Sequence, residues 1–542
     1  MSLTKVTYSM INGAPINVLD YGAVGNGTTD DTAAIQAALN VGGTVVIPDG
    51  TFKITSALTV GIADTTIKLG AKTNIDYSTV STYIAVKINA TDCSIVGGTF
   101  TGPASWDGAN VAPTYGVIWV AADRCSVSTR LINVRKVGLW FKDVVDGTAI
   151  NNIIEGNYPS ASWTGTETAH FGVCFDPSTG ASGGNFQANN NSIKTCVQGV
   201  FAANYGTGGV IQGLNVVGNL FESCWNHGVY TASANGANIS GNTFNRCEIS
   251  VASTGKGVTI TANAIYTAVN TTGDARDVTG IQLRDSQNSV ISSNTIKGVG
   301  SSTSAVYIDV INLDGTTTID GNIVIGNTIN ITASAATNNT AIRIEGSTVT
   351  CSNNIIANNT VTCLGNTVSS VIYVGSVSNC NNNRIVGNTL KLTSGTLAFG
   401  LSSNVGSEIR GNSVEIAYDA GSATSAYATT LTDSSKCTVA DNTSFCRALF
   451  GANITMYGFR EYGSSANNST QNNIDATDKT KLVAYTNFVV NSTTNLLIND
   501  SGIGVPSVYA RPGSMWRNQS GGAGTTLYIK ESAYTSTTWA SK

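Results

Sequence analysis

NNSIKTC (Asn190–Cys196), GNLFESC (Gly218–Cys224) and GNTFNRC (Gly241–Cys247) are three copies of one local pattern. A Gly or Asn precedes an Asn, a small or short side chain separates it from an apolar one, and a Cys follows five residues after the Asn. The unit continues at Asn263, Asn294, Asn327, Asn359, Asn388, Asn412 and Asn442, in steps of 21 to 33 residues. A short strand ending in a tight turn cannot bury its own apolar face, whereas coils stacked on one another can. Asn suits a repeated corner because it tolerates left-handed backbone angles and its amide can bond the Asn one coil away. Unequal steps between constant corners imply loops inserted at particular edges.

The expected fold is therefore all-β: a parallel β-helix solenoid with about ten regular coils and several less regular ones before them. Composition agrees. Among 542 residues only 11% are charged, 58 are Gly and 8 are Pro, while 41% are hydrophobic. Such a chain is neither disordered nor charge-rich. The net charge of −4 leaves no electrostatic footprint for nucleic acid. No apolar run reaches membrane-spanning length, so membrane insertion is not expected, and synthesis in the cytosol is the default. Eleven cysteines without CxxC spacing read as buried thiols, with no metal site and no cofactor implied.

Upstream, GAVGNGTTDDTAAIQAALN (Gly22–Asn40) raises the question whether Asp30 and Asp31 are catalytic. Thr29 or Asp30 falls where a helix N-cap belongs, the acids fall in its first turn, and Ala34, Ile35, Ala38 and Leu39 recur at helical spacing. We read a capping helix over the open end of the solenoid, and structural aspartates. The expected boundaries are a leader at 1–16, a helix-and-strand cap at 17–60, the β-helix at 61–454, and a small C-terminal β domain at 455–542 for trimerisation or an accessory role.

VLDYGAVGNGTTDDTAAIQAAL followed by GGTVVIPDGTF resembles the opening segment of pectate-lyase-like right-handed β-helices, and among them bacteriophage tailspike proteins. The ending RPGSMWRNQSGGAGTTLYIKES is similar to the hairpin endings of phage tail proteins. The resemblance implies a homotrimer in a virion tail that acts on a bacterial surface polysaccharide, O-antigen or capsule, outside the target cell. The short leader would dock other phage tail proteins.

Within the coils, equivalent acids on successive rungs are the signal to seek. GIQLR ending at Arg284, AVYID ending at Asp309 and AIRIE ending at Glu345 align with apolar second and fourth positions. That alignment puts Gln282, Tyr307 and Arg343 outward, followed by Arg284, Asp309 and Glu345, with the two acids on neighbouring rungs as the expected catalytic pair. The bland alternative is a surface charge ladder. A second region holds Trp163, Glu167, His170, Asp176, Glu222, Trp225, His227, Tyr230 and Glu248, where aromatics among acids suit a sugar groove; ordinary loop packing is the alternative there. Any pair among Glu167, Asp176, Glu222 and Glu248 is the second choice for catalysis, and a groove between subunits is a third. The leading function is an endo-acting glycoside hydrolase using two carboxylates. A polysaccharide lyase on the same fold, or a non-enzymatic glycan-binding adhesin, are the alternatives.

Overall fold

A computed structural model describes residues 14–105, 116–158, 170–177, 182–203, 210–232, 234–268, 278–299, 308–333, 339–346, 351–365, 370–392, 397–418, 425–448, 455–462, 464–465, 467–471, 473–475, 484–489, 497–502, 514–518, 527–531 and 539–542. Contacts divide it into two units, residues 1–259 and 260–542. Each is built of parallel coils. In the first, Gln187–Asn189, Ser192–Lys194 and Gln198–Ala202 make one coil, and Asn215–Val217, Leu220–Glu222 and His227–Thr231 make the next; the two pair in parallel, strand on strand. In the second, Ile323–Ile325 lies on Ile355–Ala357, and Ile308–Gly315 on Asn339–Gly346. Alternate side chains point inward, so Ile193, Phe221 and Phe244 stack in one core and Ile311, Ile342 and Ile372 in the other, all fully buried.

The repeated asparagines form buried ladders. In the first unit the ladder runs through Asn152, Asn191, Asn219 and Asn242. In the second it runs from Asn263 through Asn294, Asn327, Asn359, Asn388, Asn412 and Asn442 to Asn473. Asn359 shows the pattern. Its Oδ1 accepts from the backbone N–H of Asn327 at 3.0 Å and from that residue's Nδ2 at 2.9 Å. Its own Nδ2 donates to Val324 O at 2.9 Å and to Asn388 Oδ1 at 2.9 Å. An amide is needed because the position requires both a donor and an acceptor on one short side chain.

Two expectations change. The left-handed residue is not the ladder Asn but the one before it: Gly326, Asn358 and Gly387 have φ of 65°, 53° and 66°. This explains the Gly or Asn that precedes most ladder asparagines, while Ala262, Ser293 and Asp441 hold the same conformation ahead of Asn263, Asn294 and Asn442. A second ladder, through Ser289, Asn322, Asn354 and Asn383, runs five residues ahead of the first. Cysteines take the same kind of place. The ten cysteines whose side chains are described are all buried, and burial pushes the Cys196 thiol up to about 12.

The helix is Thr32–Leu39. It follows a two-strand corner where every later coil has a third strand, and Gln36 meets the backbone of Thr59 in Leu58–Val60 through both its amide groups, at 2.8 and 2.9 Å. The side chain thus supplies the hydrogen bonds that a preceding strand would otherwise give that edge. The residue at the N-cap position is Asp31, one later than expected, and neither acid lies in the first turn. Asp31 is buried and accepts from Val24 N and Gly25 N, at 2.6 and 3.1 Å. Asp30 accepts from Thr32 N at 3.0 Å and from Thr55 Oγ1 at 2.7 Å. Both aspartates hold backbone, as their structural reading requires.

Residue 455 does not end the coils. Thr455–Tyr462 pairs in parallel with Ser425–Thr432 and with Ala484–Val489, and Asn468 and Asn473 extend the two ladders. Antiparallel pairing begins only at Met515–Asn518 and Leu527–Ile529. The segment around Asn468 reads as a linker because its polarity comes from ladder residues whose inward role composition cannot show. Among the described residues no helix is long and apolar enough to cross a membrane.

Asn359→Ala should lower stability by about 3 kcal/mol, because it strands a buried N–H and a carbonyl. Asn330→Ala, at an exposed position one strand away, should stay within about 0.5 kcal/mol; denaturant melts of both variants check this. Asp30→Ala should cost about 0.5–1 kcal/mol at neutral pH, the low end for an exposed cap. Hydrogen bonds from Thr32 and Thr55 hold the Asp30 carboxyl below its ordinary value of 3.8, so that deficit should vanish as pH falls through the depressed value. Melting both proteins from neutral to acid pH tests it.

Candidate functional site

Five parallel strands of the second unit, Val278–Arg284, Ile308–Gly315, Asn339–Gly346, Ile372–Asn381 and Leu397–Val405, lie side by side in register. Inward columns are apolar. Two columns point outward. One carries Gln282, Asn312, Arg343, Tyr373 and Gly400; the other carries Arg284, Asp314, Glu345, Gly375 and Ser402. A cleft of about 660 Å³ opens over the second column, lined among others by Arg284, Asp314, Glu345, Tyr373 and Ser402.

The acid beside Glu345 is thus Asp314, not Asp309. Asp309 stands level with Thr279 and Thr340, five residues earlier on its strand. The segment that aligns with GIQLR and AIRIE is VINLD, Val310–Asp314. Both segments alternate in the same way, and only the register set by the ladders separates them. Tyr307, Trp163 and Glu167 lie outside the described residues.

Asp314 Oδ2 accepts from Gln282 Nε2 at 3.1 Å, and the Arg284 guanidinium lies 3.4 Å from Oδ1. Glu345 is ion-paired with Arg343 on its own strand. Arg284, Arg343 and Gln282, expected to bind substrate, therefore hold the two carboxylates in this structure. Burial pushes the Asp314 carboxyl above its ordinary value of 3.8, outweighing the nearby Arg284. Across the cleft, Tyr373 lies over Gly375, where any Cβ would collide with its hydroxyl. Burial raises the Tyr373 phenol, with the charge of Glu345 adding to the shift, so it stays a hydrogen-bond donor at neutral pH. Asp285 caps the turn behind the cleft, accepting from Thr316 N and Thr317 N at 2.7 Å each.

Tyr373 and Ser402 were not among the sequence candidates. Aligning VIYVG (Val371–Gly375) as the next rung after AIRIE would have found the first of them.

Of the second-choice acids, Glu222, Asp176 and Glu248 are described and stand at different places on the first unit's coils. Glu222 stands in register between Lys194 and Asn245. Asp176 is buried on a different face of the coil and accepts from Trp140 Nε1 at 3.2 Å. Glu248 lies in the turn before Ile249–Ser253. The described aromatics of this region are half-buried and packed on neighbours. Trp225 rests on Tyr158 and Val197, Tyr230 stacks on Phe201 at 5.5 Å with His227 at 4.9 Å, and His170 Nε2 contacts Val134 O at 2.7 Å.

The sequence profile of the family described as rhamnogalacturonase A/epimerase, pectate lyase-like, matches residues 15–90. That span covers the helix and the first coils, and the chain beyond it is the parallel β-helix described above. No curated protein matches the sequence. Among solved structures, the surface protein and adhesin PfbA of Streptococcus pneumoniae is similar at 17% identity over 71% of this chain and 100% of that one, with a TM-score of 0.48. The pre-mature gene product 12 of bacteriophage phi29 is 13% identical over 83% of this chain and 73% of its own, at 0.42. Tailspike protein 3 of bacteriophage CBA120 is 12% identical over 100% of this chain and 72% of its own, at 0.33.

Because the fold disfavours ionised Asp314, its folded pKa lies above the unfolded one, and the native state loses relative stability as pH rises from the ordinary aspartate value through the raised one. The thermal midpoint of Asp314→Asn, measured against wild type from acid to neutral pH, should gain on it over that window.

Proposed function

We propose that the protein is an endo-acting glycoside hydrolase that shortens a bacterial surface polysaccharide, with Asp314 as general acid and Glu345 as nucleophile. The observation that carries the reading is the register match of these two acids on adjacent strands beneath a cleft. Neighbouring rungs lie about 4.8 Å apart, close to the roughly 5–5.5 Å carboxylate separation of retaining glycosidases. The upward push that burial gives the half-buried Asp314 carboxyl suits the group that must hand a proton to the leaving oxygen, while the Arg343 guanidinium orients Glu345. Tyr373 and Ser402 extend the row of groups by one and two rungs and would bond sugar hydroxyls. Following the resemblance of its opening segment, we take the protein to be a homotrimeric component of a phage tail.

A second reading is favoured by the ion pairs Arg284–Asp314 and Arg343–Glu345. Acids fully engaged in such pairs are what a charge ladder in a non-enzymatic, glycan-binding adhesin would show.

Incubation with purified surface polysaccharides, followed by sizing of the products, separates the two. Hydrolysis should give shorter chains without the ultraviolet-absorbing double bond of an elimination product, and with the anomeric configuration retained in the first-formed product. Asp314→Asn and Glu345→Gln should each lose roughly a hundredfold to ten-thousandfold in rate, whereas Asp309→Asn should stay near wild type. Unchanged chain length with retained binding would establish the adhesin; loss of activity in Asp309→Asn but not in Asp314→Asn would overturn the assignment.

A further inference from the structure

The charge balance of the cleft bears on what it can hold, and the inference drawn from it rests on the hydrolase reading for catalysis but not for binding. Among the described residues the ionisable groups at the site are two guanidiniums, Arg284 and Arg343, and three carboxyls, Asp285, Asp314 and Glu345, so that even with a proton on Asp314 the cations do not outnumber the anions. Each guanidinium is paired with a neighbouring carboxyl, Arg284 with Asp314 and Arg343 with Glu345. Asp285 is bound by two backbone N–H groups, which orient it without cancelling its charge. The remaining lining contributes hydroxyls, among them Tyr373, Ser376 and Ser402, and the backbone of Gly315 and Gly346.

We propose that the cleft takes an uncharged stretch of glycan, built of neutral or N-acetylated sugars, and discriminates against uronate, sulfate or phosphate at the cleavage point. An anionic group entering here would have to displace a carboxylate from its guanidinium, and would then lie beside that displaced charge with too few cations for both. Sugar hydroxyls face no such conflict. They donate to the carboxylate oxygens and accept from Tyr373 and the serines. Arg284 and Arg343 are on this account positioning residues for the two acids, not receptors for an acidic sugar.

The test uses the full-length protein and a panel of neutral and uronate-bearing surface polysaccharides, each acidic polymer also supplied in carboxyl-reduced form. Affinity electrophoresis reads binding and product sizing reads cleavage. Binding should be stronger by about tenfold or more for the neutral and carboxyl-reduced forms than for acidic parents. Arg343→Gln should leave affinity for the best neutral polymer within about twofold while lowering the cleavage rate, because Glu345 loses the guanidinium that orients it. Tighter binding of an acidic parent than of its reduced form, weakened by salt and by Arg343→Gln, would overturn the inference. Neutral binding without shortening would sink the hydrolase reading and leave this one standing. Retardation by no polymer at all would sink both.

Discussion

A side-chain amide buried inside a β-coil has two donors and an acceptor to satisfy, and here the coils on either side satisfy them. This constraint governs the structure. Asn294, Asn327, Asn359 and Asn388 each pass a hydrogen bond to the following coil and take up a carbonyl of the preceding one. A slip of one residue would leave every member with unpaired polar groups in an apolar interior, at about 1–3 kcal/mol for each group. The ladders therefore fix register along the whole stack, and strands with little else to distinguish one alignment from another are held to one.

Function inherits that register. Asp314 and Glu345 are 31 residues apart in the chain, yet they face each other because the ladder steps from Asn327 to Asn359 in 32 residues. Once the two acids share a row, their environments are set by neighbours on the same and adjacent rungs. Gln282 and Arg284 come from one strand before, and the hydroxyl of Tyr373 from one strand after. Gly375 leaves the space in which that ring can lie. The same stacking makes plain charge ladders elsewhere, as in Arg384, Glu408 and Arg410, which shows that acids on neighbouring rungs are not enough. What differs at Asp314 is the cleft above it and a carboxyl that burial pushes up, where hydrogen bonds from Arg410 and Arg384 pull that of Glu408 down.

The solenoid was legible because its signal repeats: the Asn–small–apolar unit names each coil of the first ladder from Asn191 to Asn442. The second ladder is harder to read: Asn322, Asn354 and Asn383 are followed by Ile323, Ile355 and Arg384 instead of a small residue, and Ser289 takes the place of an Asn before them. The outward columns were legible in kind and wrong by five residues in place. AVYID and VINLD both alternate, and strand alternation alone cannot choose between them. Ladder spacing could have chosen: Asp309 to Glu345 is 36 residues, longer than any step of the first ladder in that region, whereas Asp314 to Glu345 is one residue short of the local step. Around Trp225, composition shows that rings are present, but not that Trp225 rests on Tyr158 and Val197 while Tyr230 stacks on Phe201.

Cysteine cross-linking tests the central claim directly. Paired parallel strands place Asp314 and Glu345 within disulfide reach, since bridged residues have Cα atoms about 4.4–6.8 Å apart, whereas Asp309 lies five positions further back along its strand. Mild oxidation of an Asp314→Cys/Glu345→Cys double variant should give the 314–345 bridge in a peptide map, while Asp309→Cys/Glu345→Cys should give none, the native buried thiols staying reduced in both. Efficient bridging of 309 to 345, or none from 314, would mean that the ladders do not set the register described here.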